Sequence, residues 1–160
     1  MSKFYNEIAE KYDYIFPLSP AHQTFFASEL CGKTVLDVGA ATGNLTAYLL
    51  SQGYEVTAID LSKRLIAEAT KKDIVVQPLN MLDIDQLAVF NNIVCIGNTL
   101  PHLDSKTSVQ LFLEKAYGQL TQKGKLILQI VNFQKYFDQK QGNYLGNLPL
   151  IANDKVKFER

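Results

Sequence analysis

The chain has 160 residues, 47% hydrophobic and 20% charged, and a soluble domain of this size buries roughly two thirds of its unfolded surface. Sixteen basic residues balance sixteen acidic ones, so no net field draws the chain to nucleic acid or anionic lipid. Two cysteines, Cys31 and Cys95, suggest neither a disulfide framework nor a zinc-ligand spacing, and Met1 to Glu7 lacks an apolar signal core. No apolar run approaches the length of a membrane span, so the cytoplasm is the default compartment and no membrane partner is expected; the balanced charge and the cysteine context likewise lead to no expected nucleic-acid or metal partner.

In chain order, a first helix is expected over about 4–15, then one over 20–30 with Ser19 as N-cap and Pro20 at its first position. Residues 34–38 form the first Val- and Leu-rich run. A helix over 44–52 follows, with Gly53 after its end, and a second apolar run occupies 55–59. Ser62 caps a helix over 62–72, and further apolar runs lie at 74–79 and 92–97. Asp104-Ser105 opens a helix over 105–120, whose Val109, Phe112, Leu113, Ala116 and Leu120 share one face. Gly124 marks its end, and a fifth run covers 125–131. Unbroken apolar runs alternating with amphipathic helices predict an α/β fold. Its form is a doubly wound, mostly parallel Rossmann-like sheet with helices on both faces. Residues 134–150, with Gly142, Gly146 and Pro149, are expected to be irregular. Lys155 to Arg160 alternates like the start of a half-exposed strand.

The chemistry concentrates at the first strand end, Asp37-Val-Gly39-Ala-Ala41-Thr-Gly43-Asn44. Small residues there let the backbone turn tightly beneath a ligand at the carboxyl end of the sheet. A dinucleotide fingerprint needs glycine at the third and sixth loop positions, where this chain has Ala41 and Asn44. Asp60 ends the second strand, 21 positions after Gly39, where a carboxylate accepts from two ribose hydroxyls. An adenosine ligand follows, without a choice among adenosine cofactors.

The pattern Asp37-x-Gly39-x-Ala41-x-Gly43 resembles the first motif of class I S-adenosylmethionine-dependent methyltransferases. Gly97-Asn98-Thr99-Leu-Pro-His102-Leu103 resembles the fourth-motif region of small-molecule members, notably those of the glycine/sarcosine N-methyltransferase type. Together the likeness covers about residues 4–133. It implies S-adenosyl-L-methionine as cofactor and in-line methyl transfer to N or O of a small molecule. It makes Asp37, Gly39, Ala41 and Gly43 the cofactor loop, and Asp60 the ribose partner. Leu61 becomes an adenine-packing residue, with Gly97 and Asn98 as carbonyl contacts. Asn80 falls where relatives often carry an acidic adenine contact, with Asp83 a rival for that role, and Met81 beside it is a further cofactor-binding candidate. Tyr12, with Tyr5, falls in an Ala-x-x-Tyr-Asp stretch that forms a helical lid in relatives; tyrosines at helical spacing also simply anchor helices. His102 is either a substrate contact and proton acceptor or an anchor for the following helix. Asn132 is a substrate-contact candidate.

The resemblance further divides the chain into a cofactor-binding domain over 1–133, with a lid over 1–31, and an incomplete substrate cover over 134–160. Family members carry two more strands after the fifth, so the chain is expected to be truncated, nearly inactive alone, and to expose the edge at 125–131. Homodimerisation through that edge is the expected consequence. Two other functions stay open: a non-catalytic S-adenosylmethionine-binding or regulatory domain, and an NAD-dependent oxidoreductase, which Ala41 and Asn44 disfavour.

Overall fold

A computed structural model describes residues 3–132, 134 and 150–159. Five strands form one sheet: β1 (Thr34–Val38), β2 (Glu55–Asp60), β3 (Gln77–Pro78), β4 (Phe90–Cys95) and β5 (Leu120–Leu128). Their order is β3-β2-β1-β4-β5, with every neighbouring pair parallel. The order reverses at β1, so a crevice opens above the carboxyl ends of β1 and β4.

Alternation along the strands explains why both faces are covered. Val35 and Val94 point to one side, where Phe26 of α3 (Pro20–Glu29) and Leu45 and Leu49 of α4 (Asn44–Ser51) close over them. Leu36, Val38, Ile93 and Cys95 point to the other, against Phe112 and Ala116 of α6 (Lys106–Gly118). Phe112 is fully buried, and truncating such a ring costs about 3–5 kcal/mol. Asn91 and Asn92, at the start of β4, hold the entrance to β1. Asn91 Oδ1 accepts from the Lys33 and Thr34 N–H groups (2.8 and 3.1 Å), and Asn92 Oδ1 accepts from Cys31 N–H (3.0 Å).

The predicted caps are present: Ser19, Ser62 and Ser105 each accept from a backbone N–H three residues on, opening α3, α5 (Lys63–Thr70) and α6. Other expectations need correction. The run at 74–79 pairs only at Gln77–Pro78, because Pro78 has no N–H to extend a ladder, and Val75 stands 80% exposed. The fifth strand is shifted: Leu120 pairs with Phe90, a bulge intervenes, and Lys125 to Leu128 pair with Asn92 to Cys95. Gly124 therefore lies inside β5 rather than at a helix end, and α6 stops at Gly118.

The N-terminal helix is also not continuous. It divides into α1 (Lys3–Ile8), a 3₁₀ turn (Ala9–Lys11) and α2 (Tyr12–Ile15). Three residues per turn advance the helical phase faster than 3.6, so Asp13 and Ile15 turn towards the domain together with Ala9 and Tyr12. At the other end, β6 (Ile151–Ala152) and β7 (Lys157–Phe158) form an antiparallel pair, a hairpin where a single strand was expected. The predicted irregular stretch lies outside the described residues except for its ends. Among the described residues no strand pairs with the outer edge of β5, and no helix is long and apolar enough to cross a membrane.

Candidate functional site

The loop after β1 is pinned to the end of β2. Gly39 and Ala40 both donate to Ile59 O (2.8 and 3.0 Å), and Gly43 N–H closes the turn on Ala40 O (2.8 Å). Asp60 ties the two strand ends together: Oδ2 accepts from Ala41 N–H (2.9 Å), Oδ1 from Ser62 N–H (2.7 Å). Gly39 has φ +75°, and a Cβ there would lie 2.3 Å from Thr99 Cγ2. Glycine at 39 thus answers to the fourth-strand loop, which presses Thr99 against the first. Ala41 holds φ +52°, an uncommon conformation for a residue with a side chain, and its methyl packs into a cluster with Ala9 and Leu65.

Two cavities meet at this loop and share Tyr12, Gly39, Ala41, Gly97 and Thr99 as a common wall. The first, about 150 Å³, is bordered by Asp60, Leu61, Asn80, Met81, Tyr5 and His102. Leu61 is 46% exposed, leaving an apolar face free for a flat ring. The second, about 350 Å³, is bordered by Asp37, Thr42 and Asn44 and by the apolar Phe16, Leu18 and Ile96. Among the described residues the charged groups lining both are Asp37 and Asp60; no lysine or arginine borders either.

Asp37 accepts from Thr46 Oγ1 (2.7 Å) and is buried. Burial pushes its carboxyl up to about 6, the Thr46 hydrogen bond opposes the rise, and the nearby Asp60 charge adds to it. A pair of carboxylates of this kind suits a cationic ligand and repels a pyrophosphate. A sulfonium with an α-amino group and a ribose therefore fits this donor set better than a dinucleotide does.

The N-terminal segment closes over the loop. Asp13 Oδ1 accepts from Thr42 Oγ1 and from Asn44 Nδ2 (2.9 Å), and Oδ2 pairs with Lys72 Nζ (2.7 Å). Tyr5 Oη and His102 Nε2 are 2.8 Å apart, their rings edge to face. Burial, followed by the charges and hydroxyl around it, lifts the Tyr12 phenol far above its ordinary range, so it stays a neutral donor.

Of the sequence-predicted residues, Tyr12, Asp37, Gly39, Ala41, Asp60, Leu61, Asn80, Met81, Gly97 and His102 border one cavity or both. Asn80 Oδ1 caps the following 3₁₀ turn by accepting from Leu82 N–H (3.0 Å), and its rival Asp83 borders neither cavity. Gly43 lies behind the loop at φ +79°, where a Cβ would come 2.6 Å from Ile74 Cγ2. Asn98 borders neither cavity, and its side-chain Oδ1 accepts from Val131 N–H (3.3 Å); Asn132 accepts from Gln134 N–H (3.0 Å) outside both cavities. Sequence reasoning missed Asp13, Thr42, Thr99 and His22. Thr42 and Thr99 sit inside the quoted motifs, but their contacts depend on how two loops meet. His22 carried no motif at all.

A family model described as "Methyltransferase domain" matches residues 35–124, more than half of the chain. A glycine/sarcosine/dimethylglycine N-methyltransferase of Actinopolyspora halophila is 26% identical over 153 residues, covering 86% of this chain and 27% of that protein. A glycine/sarcosine N-methyltransferase of Aphanothece halophytica is 29% identical over 138 residues, covering 79% of this chain and 50% of its own length. The chain thus spans half or less of the length of these two relatives. In structure, an S-adenosylmethionine-dependent methyltransferase from Clostridium acetobutylicum superposes with a TM-score of 0.73 at 20% identity, over 98% of this chain and 68% of that one. Given the family model matched over residues 35–124, the parallel β3-β2-β1-β4-β5 sheet and the loop bound to Asp60, the chain belongs to the class I S-adenosylmethionine-dependent methyltransferase family.

Proposed function

We propose that this chain binds S-adenosyl-L-methionine across the two cavities and directs its methyl group to a nitrogen or oxygen of a small molecule. The observation that carries this reading is the pair of carboxylates, Asp37 and Asp60, on either side of a loop bordered by no lysine or arginine among the described residues. The related N-methyltransferases, named for small amino-acid substrates, support the small-molecule acceptor.

Asp60 has a lone pair to spare on each oxygen beyond the bonds from Ala41 and Ser62, enough to accept from two ribose hydroxyls. Leu61 and Met81 flank the adenine. Asn80 Oδ1, already accepting from Leu82, meets the adenine amino group only as a shared acceptor. Asp37 lies towards the second cavity and favours the cationic end. When bound, S-adenosyl-L-methionine supplies a methyl already activated on a sulfonium, so the chain's tasks are alignment and exclusion of water. The lid held by Asp13, Tyr5 and Tyr12 performs the second task.

Titration calorimetry with adenosylhomocysteine tests binding, and release of adenosylhomocysteine from S-adenosylmethionine in the presence of candidate amines and alcohols tests transfer. Saturable binding and acceptor-dependent release are expected. Absence of binding by a folded chain would end this reading.

A further inference from the structure

The two histidines of the chain lie in different cavities. His102 borders the one with Asp60 and Leu61, and its Nε2 is engaged by Tyr5. His22, in the first turn of α3, borders the other, whose lining also includes Asp37 and Ile96. Its Nδ1 is 3.1 Å from Ser19 Oγ, which also accepts from the His22 backbone N–H. With Nδ1–H donating to Ser19, the ring is oriented and Nε2 keeps its lone pair, and among the described residues nothing else bonds it. The end of the cavity walled by the N-terminal segment, where Ile15, Phe16 and Leu18 lead to His22, presents apolar side chains. An acceptor with an apolar body placed there gains contact with hydrocarbon walls, which glycine lacks the surface to use.

Building on the function proposed above, we propose that this end holds the methyl acceptor, an amine or alcohol with an apolar body, and that His22 Nε2 takes its proton. An amine enters as the free base. Its electron pair bonds the methyl carbon, the sulfur–carbon bond breaks with its pair left on sulfur, and the proton shed by nitrogen passes to Nε2. His102 then serves the adenosine side, where Tyr5 holds it.

Because there are only two histidines, their ring Cε1–H signals in an NMR spectrum are assigned by His22→Gln and His102→Gln, each removing one. Benzylamine added to protein saturated with adenosylhomocysteine should move the His22 signal and leave that of His102 in place. Glycine at the same concentration should move neither. In transfer from S-adenosylmethionine to benzylamine, His22→Gln should slow release about 100-fold while adenosylhomocysteine affinity stays within twofold. His22→Asn replaces it if the first variant does not fold. A benzylamine effect confined to His102, no saturable benzylamine binding, or a preference for glycine would overturn the assignment and leave cofactor binding standing. Failure of adenosylhomocysteine to bind would remove both.

Discussion

Replacing Asp60 by alanine withdraws the acceptor from two N–H groups at once, those of Ala41 and Ser62. Asp60 is only 8% exposed, so water reaches them poorly. A buried donor left without a partner costs about 1–3 kcal/mol, which puts the combined loss near 3 kcal/mol. In a domain of this size each kcal/mol moves Tm by about 2–4 °C, so a fall of about 6–12 °C is expected without any ligand. Adenosylhomocysteine affinity should fall by more than about 1 kcal/mol beyond that, from loss of the charge-assisted ribose contacts. Urea denaturation gives the first quantity, and calorimetry on the folded variant at low temperature gives the second. A stability loss under 1 kcal/mol would show that Asp60 does not hold the loop. Unchanged affinity in the folded variant would remove it from the cofactor site.

Gly39→Ala forces a Cβ into Thr99 at positive φ and should cost about 2–4 kcal/mol in urea denaturation; Thr99→Ala in the same chain should recover at least about 1 kcal/mol, and strict additivity would refute the contact. Asp37, raised from 3.8 to about 6 on folding, keeps a proton between those values that the unfolded chain releases, so its contribution to stability is lost as pH rises through about 6. Asp37→Asn should therefore gain stability relative to the parent between pH 5 and pH 7.5, by about 1–1.5 kcal/mol, and a flat difference would contradict the shift. In the parent, binding of cationic S-adenosylmethionine should strengthen over the same window as the carboxylate ionises; calorimetry at the two pH values checks it. Asp13→Ala breaks the link from α2 to Thr42, Asn44 and Lys72 and should raise amide exchange in residues 3–16 while leaving β1 and β4 protected; equal exchange in both variants would mean the segment is held elsewhere.

The sheet was legible because its central strands are apolar on both faces: Val35, Leu36, Val38, Ile93 and Val94 leave no other placement in a parallel sheet. The edges were less so. Ile74 and Val76 are apolar because they pack against Ala69 and the loop glycine, not because they pair, so an apolar run there imitates a strand. The loop and Asp60 were readable from spacing, since both lie where consecutive strands end. His22 and Asp13 were not, because their place in the site comes from an N-terminal segment folding back across the sheet. The break at Ala9–Lys11, which turns Asp13 inward, has neither proline nor glycine to announce it. Gly39 borders both cavities, as its place in the loop motif suggests, but the spacing does not show that Thr99 fills the space a Cβ would need.

Thermal shift with S-adenosylmethionine and NAD, each at the same series of concentrations, tests whether Asp37 and Asp60, in a wall with no lysine or arginine among the described residues, select S-adenosylmethionine. A ligand at a hundred times its Kd adds about 2.7 kcal/mol, a rise of several degrees in Tm. That rise is expected with S-adenosylmethionine and none with NAD; a rise with NAD, or with neither, would contradict this selectivity.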